Sequence, residues 1–253
     1  MQKKVVFFDS GIGGLSTLAT CLSLFPTLNY VYIADNKNAP YGKLTAKQVI
    51  KCCLNSLKGY LNSENVGAIV IACNTATACA IQVLRNKTNI PIIGIEPAIE
   101  SVAKLGINKA ILLATPLTIS QPKFANLMKT YKNKIILCPQ PNLATLIENY
   151  YQSKTQNNLN KIINEIKPAF INNPNATLAI LGCTHYSLIS KLIEETFNVK
   201  TIDQNLNVAN ELAKISKLNN LANPTKSFPQ FITTAPTKIN YSNVLSSQLK
   251  TAN

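Results

Sequence analysis

Two stretches of this chain, Ile69-Val70-Ile71-Ala72-Cys73-Asn74-Thr75 and Leu178-Ala179-Ile180-Leu181-Gly182-Cys183-Thr184-His185, repeat one design within 253 residues. Each closes an apolar run with a cysteine followed by hydroxyl or amide residues, the pattern of a buried strand ending in a turn before a helix. A frame that occurs twice at this spacing implies two similar halves, each contributing one thiol. Thiols facing each other from two halves can take a proton from one side of a carbon and return one on the other.

The rest of the chain alternates in the same manner. Strand-like runs lie near 4–8, 30–34, 67–72, 90–95, 110–114, 134–138, 177–182 and 199–202. Helix-period segments fall at about 14–24, 45–62, 75–86, 97–105, 119–131, 156–172, 186–197 and 207–218. Such alternation predicts an α/β fold with mainly parallel sheets. The run Lys109-Ala110-Ile111-Leu112-Leu113-Ala114-Thr115 resembles the opening strand and turn one repeat later, which makes internal duplication the economical reading. We expect a first domain of residues 1–96 plus 207–253, holding Cys73, and a second of residues 97–206, holding Cys183.

Composition narrows the classes of function. With 46% hydrophobic residues the chain can bury one large core or two modest ones. No charge-free apolar stretch approaches membrane-spanning length, and Met1-Gln2-Lys3-Lys4 runs straight into Val5-Val6-Phe7-Phe8 without a signal-peptide core, so a cytoplasmic protein is expected. Seven cysteines with no Cys-x-x-Cys pair fit neither a secreted disulfide framework nor a zinc finger, so free thiols are expected. The net charge of +14 raises the question of nucleic acid, but of 25 basic residues only Arg85 is arginine, and the lysines form no run interleaved with aromatics. A lysine- and asparagine-rich compositional bias accounts for the charge. It also means that an acidic substrate is not gripped by several guanidinium forks.

The opening motif Phe7-Phe8-Asp9-Ser10-Gly11-Ile12-Gly13-Gly14-Leu15-Ser16 is a strand, a glycine-rich turn and a helix start. Glycines let backbone N–H groups approach an anion at a helix N-terminus, so a carboxylate or phosphate site is expected there. A dinucleotide fingerprint is the competing reading, with Asp35 at the end of the next strand as the ribose-binding acid. Against it, Ser16 stands at the third glycine position and Asp9 repels a pyrophosphate. A tight turn with no ligand is the plain alternative. His185, the only histidine, lies two residues from Cys183. A lone histidine is usually structural, but beside a thiol it is a candidate proton partner near neutral pH. A helix N-terminus can also lower a thiol's pKa. Cys21, Cys52, Cys53, Cys79 and Cys138 are read as buried small hydrophobes.

Five ordered motifs carry a family resemblance: Asp9 to Ser16; Asp35 followed by Pro40-Tyr41-Gly42; Ala72-Cys73-Asn74-Thr75; Gly94-Ile95-Glu96-Pro97; and Gly182-Cys183-Thr184-His185-Tyr186. Together they resemble glutamate racemase of the aspartate/glutamate racemase superfamily, from the first strand to about Asp203, with a weaker echo at Phe231-Ile232-Thr233-Thr234. The resemblance implies two α/β domains related by pseudo-two-fold symmetry with the active site between them. It implies a peptidoglycan-supplying racemase whose substrate is glutamate, with no cofactor, metal, nucleic acid or membrane partner, and it admits a homodimer. By that resemblance Cys73 and Cys183 are the acid/base thiols, helped by Asp9 and His185 respectively. Asp9, Ser10, Tyr41, Gly42, Asn74, Thr75, Thr184 and His185 match substrate-contacting positions, and Asp35 and Glu148 match supporting acids. The Cys138–Asn142 stretch ahead of Glu148 is longer than the family pattern, and Ser187 stands where many relatives carry proline. Other readings remain: an aspartate racemase, a nucleotide-binding oxidoreductase, a redox protein with a reversible Cys73–Cys183 disulfide, and a binding module that leaves the α-proton in place.

Overall fold

The computed structural model describes residues 3–107, 109–131, 133–219, 221 and 227–251. Met1 and Gln2 of the opening segment, and residues 108, 132, 220, 222–226 and 252–253 of the expected domain spans, lie outside the described residues. The first half runs β1 (Lys4–Asp9), α1 (Leu15–Leu24), β2 (Tyr30–Ala34), a 3₁₀ turn (Tyr41–Lys43), α2 (Ala46–Leu57), β3 (Val66–Ile71), α3 (Asn74–Arg85) and β4 (Ile92–Gly94). Next come α4 (Ile99–Lys104), β5 (Ala110–Ala114), α5 (Pro116–Ile119), α6 (Pro122–Tyr131), β6 (Ile135–Pro139), α7 (Leu143–Gln152) and α8 (Gln156–Ile171). The chain ends with β7 (Leu178–Leu181), α9 (Thr184–Ser187), α10 (Ser190–Phe197), β8 (Lys200–Ile202), α11 (Asn205–Asn219), β9 (Gln230–Thr233) and α12 (Tyr241–Thr251).

Two sheets result, of order β4-β3-β1-β2-β9 and β6-β5-β7-β8, and every pairing is parallel. Read from the opposite edge, the second sheet is β8-β7-β5-β6, the same order as β4-β3-β1-β2 in the first. The expected duplicated α/β fold is therefore present. Strand β9 extends the first sheet by pairing Phe231 with Tyr32 and Thr233 with Ala34, which accounts for the echo at 231–234.

Side-chain alternation sorts the core into layers. Val5, Phe7, Ile111, Leu113, Ala179 and Leu181 face one cluster shared by both halves. Val6, Phe8, Ile69 and Ile71 face the outer layer of the first sheet, and Ala110, Leu112 and Ile180 that of the second. Because both faces of each sheet are covered, the strands read as continuous apolar runs. Helix limits depart from the sequence reading where local chemistry intervenes. The expected 119–131 helix begins at Pro122 as α6, after a separate short helix α5, and the 186–197 helix is split between the end of α9 and α10. Proline restarts helices well because the N–H it lacks is unpaired at the first helical position anyway.

Candidate active site

In a parallel α/β sheet, ligands bind beyond the carboxyl ends of the strands. Strand β1 delivers Asp9 there, β3 delivers Cys73 through Ala72, β5 delivers Thr115, and β7 delivers Cys183 through Gly182. Cys73 caps α3: its extended backbone lets Sγ accept the Ala76 N–H at 3.4 Å, and Ser10 Oγ lies 3.7 Å from the same sulfur. Cys183 caps α9 with the same extended backbone but no side-chain cap bond. Only 5% of Cys73 and 7% of Cys183 is exposed. Burial, then the charge of Asp9, pushes the Cys73 thiol up, and Cys183 adds to the push, so the two sulfurs act on each other electrostatically. This corrects the expectation of a lowered thiol at that helix start: the peptide dipole and the Ala76 N–H are outweighed by desolvation.

Asp9, Thr184, His185 and Glu148 form one network across the two sheets. Thr184 Oγ1 donates to Asp9 Oδ2 at 3.0 Å, and Gly11 N–H donates to Oδ1 at 2.7 Å. Burial raises the Asp9 carboxyl to about 6, against the opposing effect of His185 and these donors. A carboxyl in that range can take and give a proton near neutrality. His185 Nε2 donates to Glu148 Oε1 at 2.8 Å, and Nδ1 lies 3.9 Å from Cys183 Sγ. Burial alone lowers the imidazole's pKa, but contact with Cys183 and Glu148 outweighs it and holds His185 well above its ordinary value.

The glycine-rich turn has a different use from the one expected. Its Ile12 N–H is already bonded to Glu148 Oε1 at 2.9 Å, so the anion at this turn is a protein carboxylate from α7. The turn is also a close-approach surface. A Cβ on Gly11 lies 1.9 Å from Glu148 Oε1, and one on Gly13 lies 2.5 Å from both His185 Nδ1 and Thr184 Oγ1 and 2.7 Å from the His185 backbone nitrogen. Backbone cannot yield as a side-chain end can, so Gly13→Ala is expected to destabilise the protein by about 1–3 kcal/mol. Gly59→Ala, with nothing within 4 Å, is the control and stays within about 0.5 kcal/mol. Urea unfolding midpoints of the two variants check this; equal midpoints refute the packing argument. A pyrophosphate at the turn would have to displace this packing, which removes the dinucleotide reading.

The remaining motif residues converge on the same edge. Thr75 Oγ1 meets Thr115 Oγ1 at 3.0 Å and Thr118 Oγ1 at 3.2 Å, and those two are 2.9 Å apart, a buried trio joining α3 to the second half. Gly42 sits against Thr115, which a Cβ there would approach to 3.1 Å. Asp35 accepts from Tyr41 Oη at 2.6 Å, from Asn38 Nδ2, and from Thr234 Oγ1 at 2.7 Å, so it fixes the Tyr41–Gly42 turn. Asn74 Nδ2 reaches the Ile95 carbonyl at 3.5 Å.

Sequence reasoning missed Thr115 and Thr118, although Thr115 ends the run already matched to the opening strand, so the duplication itself could have flagged it. It also missed α7, which carries Glu148; the signal was Leu143 and Ile147, one helical turn apart and both fully buried. All seven cysteines are free, but Cys52 and Cys79 are half-buried rather than buried. Among the described residues no group of three or more His, Cys, Asp or Glu could hold a metal ion, and no helix is long and apolar enough to cross a membrane.

Comparison with known proteins gives the chain's family and fold relatives. The family model for Asp/Glu/hydantoin racemase matches residues 18–212. Glutamate racemase of Clostridium botulinum (strain Alaska E43 / Type E3) is 38% identical over 232 residues, 88% of this chain and 88% of that protein. Among solved structures, glutamate racemase from Francisella tularensis in complex with D-glutamate superposes with a TM-score of 0.77 at 28% identity, covering 98% of this chain and 94% of that one. Glutamate racemase isoform RacE1 from Bacillus anthracis gives a TM-score of 0.76 at 26% identity, covering 92% and 89% respectively.

Proposed function

The chain belongs to the Asp/Glu/hydantoin racemase family, and from that premise we propose that it is a glutamate racemase, interconverting L- and D-glutamate without a cofactor by two opposed thiols. The observation that carries the mechanism is the pair of cysteines at helix N-caps on the carboxyl edges of the two sheets, with His185 Nδ1 3.9 Å from Cys183 Sγ and the charge of Asp9 acting on Cys73. The α-proton of glutamate is very weakly acidic, so a thiolate must be held close to it while fixed hydrogen-bond donors stabilise the developing negative charge. Cys183, served by His185, takes the proton from the L-enantiomer, and Cys73, served by Asp9, gives one from the opposite face. The reverse reaction exchanges the roles. Conjugate partners of unlike charge suit the two thiols to unequal protonation, one deprotonated while the other holds its proton.

The single arginine takes no part. Arg85 ends α3 roughly 16 Å from the Cys73 end by helix rise, and it donates to the Ile92 carbonyl. The substrate carboxylates therefore depend on backbone amides and on Ser10, Asn74, Thr75 and Thr184, with Thr115 and Thr118 adjoining them. Tyr41 and Gly42 close the side held by Asp35. We assign residues 1–96 with 207–253 to one domain and 97–206 to the other, place the enzyme in the cytoplasm, and give it the supply of D-glutamate for peptidoglycan, and so for cell shape.

The test is isotope incorporation. With L-glutamate in D₂O, early D-glutamate carries solvent deuterium at the α-carbon while recovered L-glutamate largely does not, as read by proton NMR and chiral separation. Two bases on opposite faces require that outcome. Extensive early label in the recovered substrate points instead to one shared base, and faster conversion of L-aspartate in the same assay reassigns the substrate.

A further inference from the structure

The two-thiol reading, on which this inference rests, sets a proton-counting problem. Conversion of L-glutamate adds a proton to the Cys183 side and removes one from the Cys73 side. Before the same enantiomer can react again, the Cys183–His185 pair must release a proton to solvent and the Cys73 side must gain one. Both sulfurs and both helper groups are buried, with His185 2% and Asp9 0% exposed. A route to water has to be built.

On the Cys183 side the groups of such a route are in line. Cys183 Sγ is 3.9 Å from His185 Nδ1, and His185 Nε2 is 2.8 Å from Glu148 Oε1. Glu148 is the member of this line that meets solvent: 14% of its side chain is exposed, and it lines a cleft of about 370 Å³ with Asn36, Pro40, Thr145, Gln152 and Lys238. Near it stand two of the three buried side-chain hydroxyls that have no hydrogen-bond partner among the described residues, Thr145 one turn earlier on α7 and Tyr241 on α12. The charge of Glu148 acts on Tyr241, and so does that of Asp9. Buried hydroxyls without partners are costly, and where they persist they call for a functional explanation.

We propose that Glu148 is the proton port of the Cys183 face, passing protons between His185 and water in the cleft walled by residues 36–40, 145–152 and 235–238. After L-glutamate turns over, the Cys183 thiol gives its proton to His185 Nδ1, and the imidazolium so formed gives its Nε2 proton to the Glu148 carboxylate, which restores the Cys183 thiolate. The carboxyl then gives one proton to water or a buffer base in the cleft. The Cys183–His185 pair returns to its starting proton count, and the D-to-L direction runs these transfers in reverse with a buffer acid as donor. No bond to carbon changes in this step. The groups that face it are Cys183, the Asp9 carboxyl on β1, the Tyr32 and Tyr241 phenols, and Lys238 at the cleft.

The experiment measures racemisation by Glu148→Gln over a wide range of glutamate concentration, with imidazole added as a small proton carrier. Slow return of the free enzyme shows itself when substrate captures each form before it can exchange. The expected result is a variant whose rate at high glutamate falls by about tenfold or more, in the range of a lost acid/base group, while its rate at low glutamate is much less affected. The high-glutamate rate recovers as imidazole is raised. Glu148→Asp, which keeps a titratable group in the cleft, behaves more like the parent. Loss of rate by Glu148→Gln in equal proportion at all glutamate concentrations, unmoved by imidazole, overturns the port and leaves Glu148 as a support for His185. Absence of racemisation by the parent enzyme itself overturns the racemase reading instead, so the two failures are distinguishable.

Discussion

Cys73→Ala and Cys183→Ala each abolish racemisation and leave the fold intact, with rates lower by more than about 10⁴, the upper range for a lost acid/base group. Each thiol is the proton acceptor for one enantiomer and the donor for the other, so losing either one stops both directions. The variants differ in what survives. Cys73→Ala keeps the base on the L face and can still exchange the α-proton of L-glutamate with solvent, whereas Cys183→Ala can do so only with D-glutamate. They differ in stability as well. Cys73 caps α3 through the Ala76 N–H at 3.4 Å, while Cys183 makes no side-chain cap bond, so the first substitution costs about 0.5–1 kcal/mol more. Chiral assay, α-proton exchange in D₂O and urea unfolding measure the three quantities. Substantial racemisation by either variant refutes the two-thiol mechanism.

Most of the strands were legible because they are buried on both faces and so appear as unbroken apolar runs, as in Val5-Val6-Phe7-Phe8 and Ala110-Ile111-Leu112-Leu113. Strand β9 was not, since its Gln230 and Thr233 are exposed and no apolar run marks it. Its place in the sheet depends on pairing with β2, which lies far away in sequence. Helix α12 was hidden for a similar reason: its sequence mixes Ser, Asn, Gln and Lys among the buried Tyr241, Val244 and Leu245. The two cysteines were legible because each sits at a strand end with a helix start behind it. What the glycines of residues 11–14 approach was not legible, because a glycine announces a close contact without naming the partner. For Gly11 and Gly13 the partners are Glu148, Thr184 and His185, all delivered by the other sheet's connections. The same long-range closure brings Thr115 and Thr118 to Thr75.

His185→Asn slows the enzyme by a factor on the order of 10² to 10⁴, the usual cost of losing an acid/base helper, and the damage is asymmetric in kcat and in KM but not in their ratio. Mirror-image substrates have equal free energy in water, so the equilibrium constant is one and kcat/KM stays equal in the two directions for any variant. The asymmetry arises because His185 serves one sulfur only: its Nδ1 lies 3.9 Å from Cys183, while Asp9 is the charged group that acts most strongly on Cys73. Asparagine keeps a polar group at the position but cannot carry the charge that contact with Cys183 and Glu148 holds on the imidazole. The enzyme form with a Cys183 thiolate is then raised in free energy relative to the form with a Cys73 thiolate. That form is the one that binds L-glutamate productively, so kcat and KM shift together in the L-to-D direction more than in the D-to-L direction. Asp9→Asn, which removes the charged group acting most strongly on Cys73, is the companion variant on the other face. Full initial-rate kinetics in both directions for the two variants decide the matter. Near-normal constants for His185→Asn in both directions would return this histidine to a structural role, as the residue that ties Glu148 to the glycine turn.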